Sequence, residues 1–360
     1  MKTAIHPARC FFLLLASTSF CFAQARPDAR PNGSSFVEPN FLLPENPEVN
    51  DYRPVLNADA TTVIFERNQI TTPNDIKLFS ADLATGNVQP FVKFASTRPD
   101  WCWNRSGGGF TSGPVAFSND DGIYRVDPGG LPVLLANTAG MIYPSWYPDG
   151  QHLAVDVTGA QVTAEIDAIT GQTIRPVLGN ATVWAGFPSV NQTSPNLVAF
   201  AGQFHGGSSY YNQDLNYVWV TDTSTGRPRV APLDRHAPRG PSFQQRFQAR
   251  AGWWSPDGQW FAVESNRACN NINGQTYAIF IQDASGTRPA MQVSDCSKWN
   301  VQHPKWFPPG KDGKVFLIAA VQAIESNQPA CPPPPFRIAS FDVTQLLSGG
   351  SVSTSSNQGR

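Results

Sequence analysis

Charged side chains are scarce in this chain. Asp, Glu, Lys and Arg make up 15% of its 360 residues and cancel to a formal net charge of -1. That balance excludes the basic footprint of a nucleic-acid binder and an electrostatic hold on an anionic membrane. Beyond the first 25 residues no apolar run is long enough to span a bilayer. A Gly-x-Ser-x-Gly elbow is also missing. Gly206-Gly207-Ser208-Ser209 does not match it, and serine-hydrolase chemistry has no nucleophile turn here. The four histidines after residue 25 are His152, His205, His236 and His303, too few and too scattered in sequence to assemble a histidine-metal lyase centre. No cofactor or metal is implied.

Residues 1–25 read as a secretory signal. Lys2 and Arg9 supply the positive start, Cys10 to Phe22 the apolar stretch, and Ala23-Gln24-Ala25 a small-x-small cleavage site. Cys21 does not make a lipoprotein site, because Phe20 is bulky where such sites want a small residue. The expected mature protein is secreted or periplasmic, monomeric, and without stable membrane insertion. Cys102, Cys269, Cys296 and Cys331 remain after cleavage, and an oxidising compartment allows disulfides among them. Their spacing fits no zinc site. Cys269 and Cys331 fall at similar points of two successive repeats, which favours that pair.

Turn formers are plentiful, with 29 Gly and 32 Pro. They are organised by the stretch Tyr143-Pro144-Ser145-Trp146-Tyr147-Pro148-Asp149-Gly150-Gln151-His152, a strand, a Pro-Asp-Gly turn and the start of a second strand. Its leading Pro-x-Trp recurs, intact or worn, from Pro54, Pro99, Pro144, Pro188, Gly252 and Pro304, at steps of 45, 45, 44, 64 and 52 residues. A second marker alternates with it, an Asp-x-x-Thr-Gly hairpin seen at Asp82 to Gly86, Asp167 to Gly171 and Asp222 to Gly226. Shorter forms stand at Asp127, Asp283 and Asp342. Each unit therefore holds four short strands. Both faces of those strands are apolar, as in Thr62-Val63-Ile64-Phe65 and Val315-Phe316-Leu317-Ile318-Ala319. Repeats of this kind predict an all-β chain: a six-bladed β-propeller of four-stranded antiparallel blades.

The expected layout is a lead-in over 26–50, the propeller over 51–347 and a disordered Ser-rich tail over 348–360. The sixth unit lacks a fourth strand. The N-terminal segment, around Phe36-Val37 or Phe41-Leu42-Leu43, is expected to supply it and close the ring.

The Pro-x-Trp-x-Pro-Asp-Gly-Gln segments with their Asp-x-x-Thr-Gly hairpins resemble the repeats of TolB-like β-propellers, the WD40-like Pro-Asp repeat family, over roughly 51–347. The resemblance implies the fold with force and function only loosely. TolB is a periplasmic protein that binds partner proteins and carries an additional N-terminal α/β domain, which is not expected here.

Two places could carry recognition. Arg53, Arg98, Tyr143 and His303 each precede the proline of an innermost strand, at the mouth of a central funnel, and could hold an acidic ligand such as a carboxylated sugar. Phe204, His205, Tyr210, Tyr211 and Asn212 lie in an insertion between the second and third strands of the fourth unit. Together with insertions near 266–275 and 325–335 it would form one binding face for a protein or glycan partner. A binding or scaffold protein is the leading expectation. The alternative is a carbohydrate-active lyase or hydrolase using the funnel.

Overall fold

The structure is a computed structural model. It describes residues 36–106, 109–158, 162–177, 182–204, 217–225, 227–230, 249–266, 269, 276–285, 290–310, 312–324 and 333–348.

The described residues form six four-stranded antiparallel sheets, taken up in chain order. The first sheet is β2 (Val49–Leu56), β3 (Thr62–Gln69), β4 (Thr72–Asp82) and β5 (Val88–Ala95). The second is β6 (Thr97–Ser106), β7 (Gly109–Asn119), β8 (Gly122–Val126) and β9 (Val133–Leu134). The third is β10 (Met141–Trp146), β11 (His152–Val157), β12 (Val162–Asp167) and β13 (Thr173–Pro176). The fourth is β14 (Thr182–Val190), β15 (Leu197–Phe204), β16 (Tyr217–Asp222) and β17 (Arg227–Val230). The fifth is β18 (Ala249–Trp254), β19 (Trp260–Ser265), β20 (Ala278–Asp283) and β21 (Met291–Gln292). The sixth is β22 (Trp299–Trp306), β23 (Phe316–Ala323) and β24 (Arg337–Asp342), completed by β1 (Asn40–Phe41) from the other end of the chain. A short helix, α1 (Thr344–Ser348), follows β24 and was not foreseen from the sequence.

The first strand of each sheet touches the first strand of the next, and β22 touches β2, so the sheets close into a ring. This is a β-propeller. Each sheet buries both faces because its neighbours cover them. Val55, Ile64 and Phe117 pack between the first and second sheets, and Trp146, Leu153 and Ala116 between the second and third. Leu56, Phe65 and Ile318 seal the first sheet against the sixth. Closure is made by β1: Asn40 lies opposite Ser340 and Phe41 opposite Ala339. Phe41 also sits edge-on to Trp299 at 5.9 Å, and Leu43 is buried in the seam between first and last sheets.

The repeat markers have distinct structural duties. Asp82 Oδ1 accepts the amides of Ala84 and Thr85 and the Thr85 hydroxyl, and Asp167 does the same for Ile169 and Thr170. These bonds hold both carboxyls below their ordinary range. Gly171 follows at φ 70, with the carbonyl of Ala136, in the turn between β9 and β10, where a Cβ would stand. The middle residue of Pro-x-Trp joins sheet to sheet. Asp100 Oδ2 accepts the Trp146 amide, Ser145 Oγ that of Val190, and Ser189 Oγ that of Trp254. The Trp146 indole donates to the Asp100 carbonyl, and the Trp306 indole to that of Trp253.

The expected Cys269–Cys331 pair is corrected. Cys269 is bonded to Cys296, with Cα atoms 5.6 Å apart, and Cys331 lies outside the described residues. The second and fourth strands of an antiparallel sheet run the same way, so the segments leaving β19 and β21 emerge at one end of the fifth sheet. Similar positions in successive repeats are instead a full sheet apart. Cys102 is buried and unbonded, its thiol pushed up to about 12 by burial first and then by Asp100.

Candidate funnel site

Every sheet interrupts the pairing of its first strand with its second at the same point. The register jumps between Tyr52 and Val55, Thr97 and Asp100, Ile142 and Ser145, Gly186 and Ser189, Arg250 and Trp253, and Gln302 and Lys305. In each case two residues face one, which is a β-bulge. The first bulged residue is Arg53, Arg98, Tyr143, Phe187 or His303 in five of the sheets, and all five have φ between 45° and 57°. A bulky side chain rarely adopts this left-handed region, and each such residue costs about 1–3 kcal/mol. In these five sheets the bulge re-aims one side chain toward the ring's centre. All five line one cavity of about 30 Å³, with Pro99, Pro144, Pro188, Trp253 and Lys305. Arg53, Arg98, Tyr143 and His303, separated by up to 250 residues in sequence, thus meet in space.

What holds the strained backbones in place lies beneath them. Glu66, opposite Tyr52 in β3, is almost wholly buried. Its Oε2 accepts from Arg53 Nη1 at 2.6 Å, and its Oε1 accepts from the Arg98 amide of the next sheet at 2.6 Å. Glu264, opposite Arg250 in β19, repeats the device. It takes the Arg250 guanidinium on one oxygen and the His303 amide of the next sheet on the other. Asp156 holds the same register position in the third sheet, opposite Ile142. In the second, fourth and sixth sheets that position is Ser118, Ala201 or Ala320 beside Thr97, Gly186 or Gln302. Carboxylates therefore alternate around the ring.

The electrostatics follow from this burial. His303 is held neutral, its pKa driven well down by burial and then by Arg53, Arg250, Lys305 and Arg98. Burial also lowers the Lys305 ammonium, against the pull of Asp100, which pairs with it. Asp156 is pushed up to about 7 by burial, with Arg98 pulling it down. Lys305 Nζ stands 3.5 Å from the Trp253 ring centre, and the Arg98 guanidinium 4.4 Å from that of Tyr143. Tyr143 and Phe187 rings lie 4.2 Å apart.

The sequence reading places Phe187 at the position matching Arg53, Arg98, Tyr143 and His303 without giving it a binding role, and it missed Trp253 and Lys305 as lining residues. It also missed the buried carboxylates, for which a signal existed: Val63-Ile64-Phe65-Glu66, Leu153-Ala154-Val155-Asp156 and Phe261-Ala262-Val263-Glu264 each place one acid after three apolar residues. The other predicted surface is not covered in the same way. Phe204 ends β15 as backbone, while His205, Tyr210, Tyr211 and Asn212 lie outside the described residues. No three His, Cys, Asp or Glu side chains gather as metal ligands among the described residues. No described helix is long and apolar enough to cross a membrane.

No protein-family profile and no curated protein matches the chain. Solved structures do. It is similar to a putative TolB from Agrobacterium tumefaciens, with a TM-score of 0.51 and 12% identity over 82% of this chain and 86% of that one. It is similar to an oligogalacturonate lyase from Vibrio parahaemolyticus, with a TM-score of 0.50 and 11% identity over 85% and 94%. A calcium-binding protein, regucalcin, from Agrobacterium tumefaciens gives 0.50 and 12% over 85% and 94%. At these identities the likeness is one of fold. The chain has a TolB-like, WD40-like β-propeller fold.

Proposed function

We propose that the chain is a secreted or periplasmic binding protein that receives a protein or glycan partner at one end of its propeller. The observation that carries this reading is the convergence of five bulged side chains on one cavity, held by buried carboxylates. Glu66 and Glu264 are committed to clamping the neighbouring sheets and His303 is kept neutral, which leaves Arg98 as the lining group able to take a partner. That arrangement serves recognition better than proton transfer, which needs an acid or base free to exchange its proton. The stems of the three insertions stand at the same end of the sheets. Phe204 pairs with Thr182, Ser265 with Ala249 and Ala323 with Trp299, each at the start of a first strand.

The test is capture from a native extracellular or periplasmic extract, comparing the full chain with a variant lacking 202–216 and with Arg98→Ala. Partners held by the full chain should be lost with the deletion and weakened by the substitution. Unchanged capture, together with cleavage of an acidic oligosaccharide by the full chain, would overturn this reading in favour of a lyase or hydrolase.

A further inference from the structure

The cations at the centre of the ring are not equivalent. Arg53 has Glu66, Arg250 has Glu264 and Lys305 has Asp100. Among the described residues Arg98 has no carboxylate within ion-pairing distance. Its Nη1 donates to the Thr97 hydroxyl at 3.3 Å, and its Nε is buried with no hydrogen-bond acceptor. Asp156 is the acid that feels it electrostatically, and burial keeps that carboxyl partly protonated near neutral pH. A guanidinium stacked on Tyr143 with an unmet donor is the group in this cavity still lacking an anion.

The lining is also divided around the ring. His303, Arg53 and Arg98 come from the sixth, first and second sheets, whereas Tyr143, Phe187 and Trp253 come from the third, fourth and fifth. One side is polar and cationic, the other aromatic. About 30 Å³ holds one or two water-sized groups, enough for a carboxylate head, while any six-membered ring attached to it, sugar or aromatic, must stand at the cavity's mouth.

Resting on the reading of the funnel as a binding site, we infer that the cavity is a subsite for a small organic carboxylate on an apolar body. The carboxylate is taken by Arg98, and the apolar flank lies against Tyr143, Phe187 and Trp253. Arg53 also has a buried Nε without an acceptor, but Glu66 already offsets its charge, so Arg98 is the primary anchor and Arg53 an auxiliary donor. A freely hydroxylated acid fits poorly, because the flank of Tyr143, Phe187 and Trp253 is mostly apolar ring surface with few groups to replace the water its hydroxyls would lose.

Calorimetric titration of the purified full chain with benzoate, its uncharged isostere benzamide, and galacturonate tests this. Benzoate should bind at least tenfold more tightly than either. Arg98→Gln should weaken benzoate at least tenfold and leave benzamide unchanged. Equal affinity for benzoate and benzamide, tighter binding of galacturonate, or an unchanged benzoate affinity in Arg98→Gln overturns the inference. The comparison of probes on the unaltered chain needs no variant to fold. Partner capture with no preference for benzoate would sink the carboxylate subsite and leave the binding-protein reading standing. Benzoate binding without any captured partner would do the reverse.

Discussion

At the scale of single residues, Glu66 and Asp156 occupy one register position and do different things. Glu66 is saturated: one oxygen holds Arg53, the other the backbone of Arg98. Glu66→Ala would leave a buried guanidinium unpaired and an amide unmet, a loss of about 3–5 kcal/mol. Urea unfolding measures it, and a change under 1 kcal/mol would show that the clamp is dispensable. Asp156 works in the other direction. Its carboxyl pKa rises from 3.8 to about 7 on folding, so between those values the folded state keeps a proton that the unfolded chain has released. Stability from this group therefore falls as pH rises through that window. Relative to Asp156→Asn, the unaltered protein should lose on the order of 2–4 kcal/mol between pH 4 and pH 8. Parallel pH profiles for the two proteins would contradict this. Of the funnel residues, those before a proline were legible in the sequence, since the Pro-x-Trp marker locates them. Trp253 and Lys305 were not, because they stand in the marker's middle position, which elsewhere faces the adjoining sheet as Ser145 and Ser189.

At the scale of the element, the hairpin and its glycine separate two reasons for using that residue. Gly129 and Gly171 have nearly the same backbone, φ 72 and φ 70. A Cβ on Gly129 meets nothing within 4 Å, so Gly129→Ala should cost only the left-handed penalty, about 1–2 kcal/mol. A Cβ on Gly171 would stand 1.8 Å from the Ala136 carbonyl oxygen, which is backbone of the turn between β9 and β10 and cannot step aside as a side chain could. Gly171→Ala should therefore cost clearly more, roughly 3 kcal/mol or above, and thermal unfolding of the two variants side by side decides it. The turn itself was readable from Asp, Thr and Gly at fixed spacing. The contact that makes one copy intolerant was not, because it depends on how the turn between β9 and β10 folds against the hairpin.

At the scale of the molecule, the ring is closed by two residues, Asn40 and Phe41, supported by Leu43, a cation–π contact of Arg337 over Phe41 at 4.0 Å, and Lys298 with Glu38. A chain beginning at Pro44 would leave β24 as a bare edge. Its melting temperature should fall by roughly 5–10 °C, the response of a domain this large to a few kcal/mol. Light scattering should show self-association, and an unchanged, monodisperse protein would show that β1 adds nothing to closure.

The sequence by itself determined the all-β class, the six-fold repeat, the turns and the closing segment. These rest on local chemistry: a proline's fixed φ, an Asp carboxylate capping nearby amides, a glycine's freedom and the alternation of apolar residues along a strand. Tertiary structure decided the rest. It set the Cys269–Cys296 bond, the carboxylate clamps from sheet to sheet, and the division of the funnel into cationic and aromatic sides. Those features join residues tens to hundreds of positions apart, and only closure of the ring brings them within reach of one another.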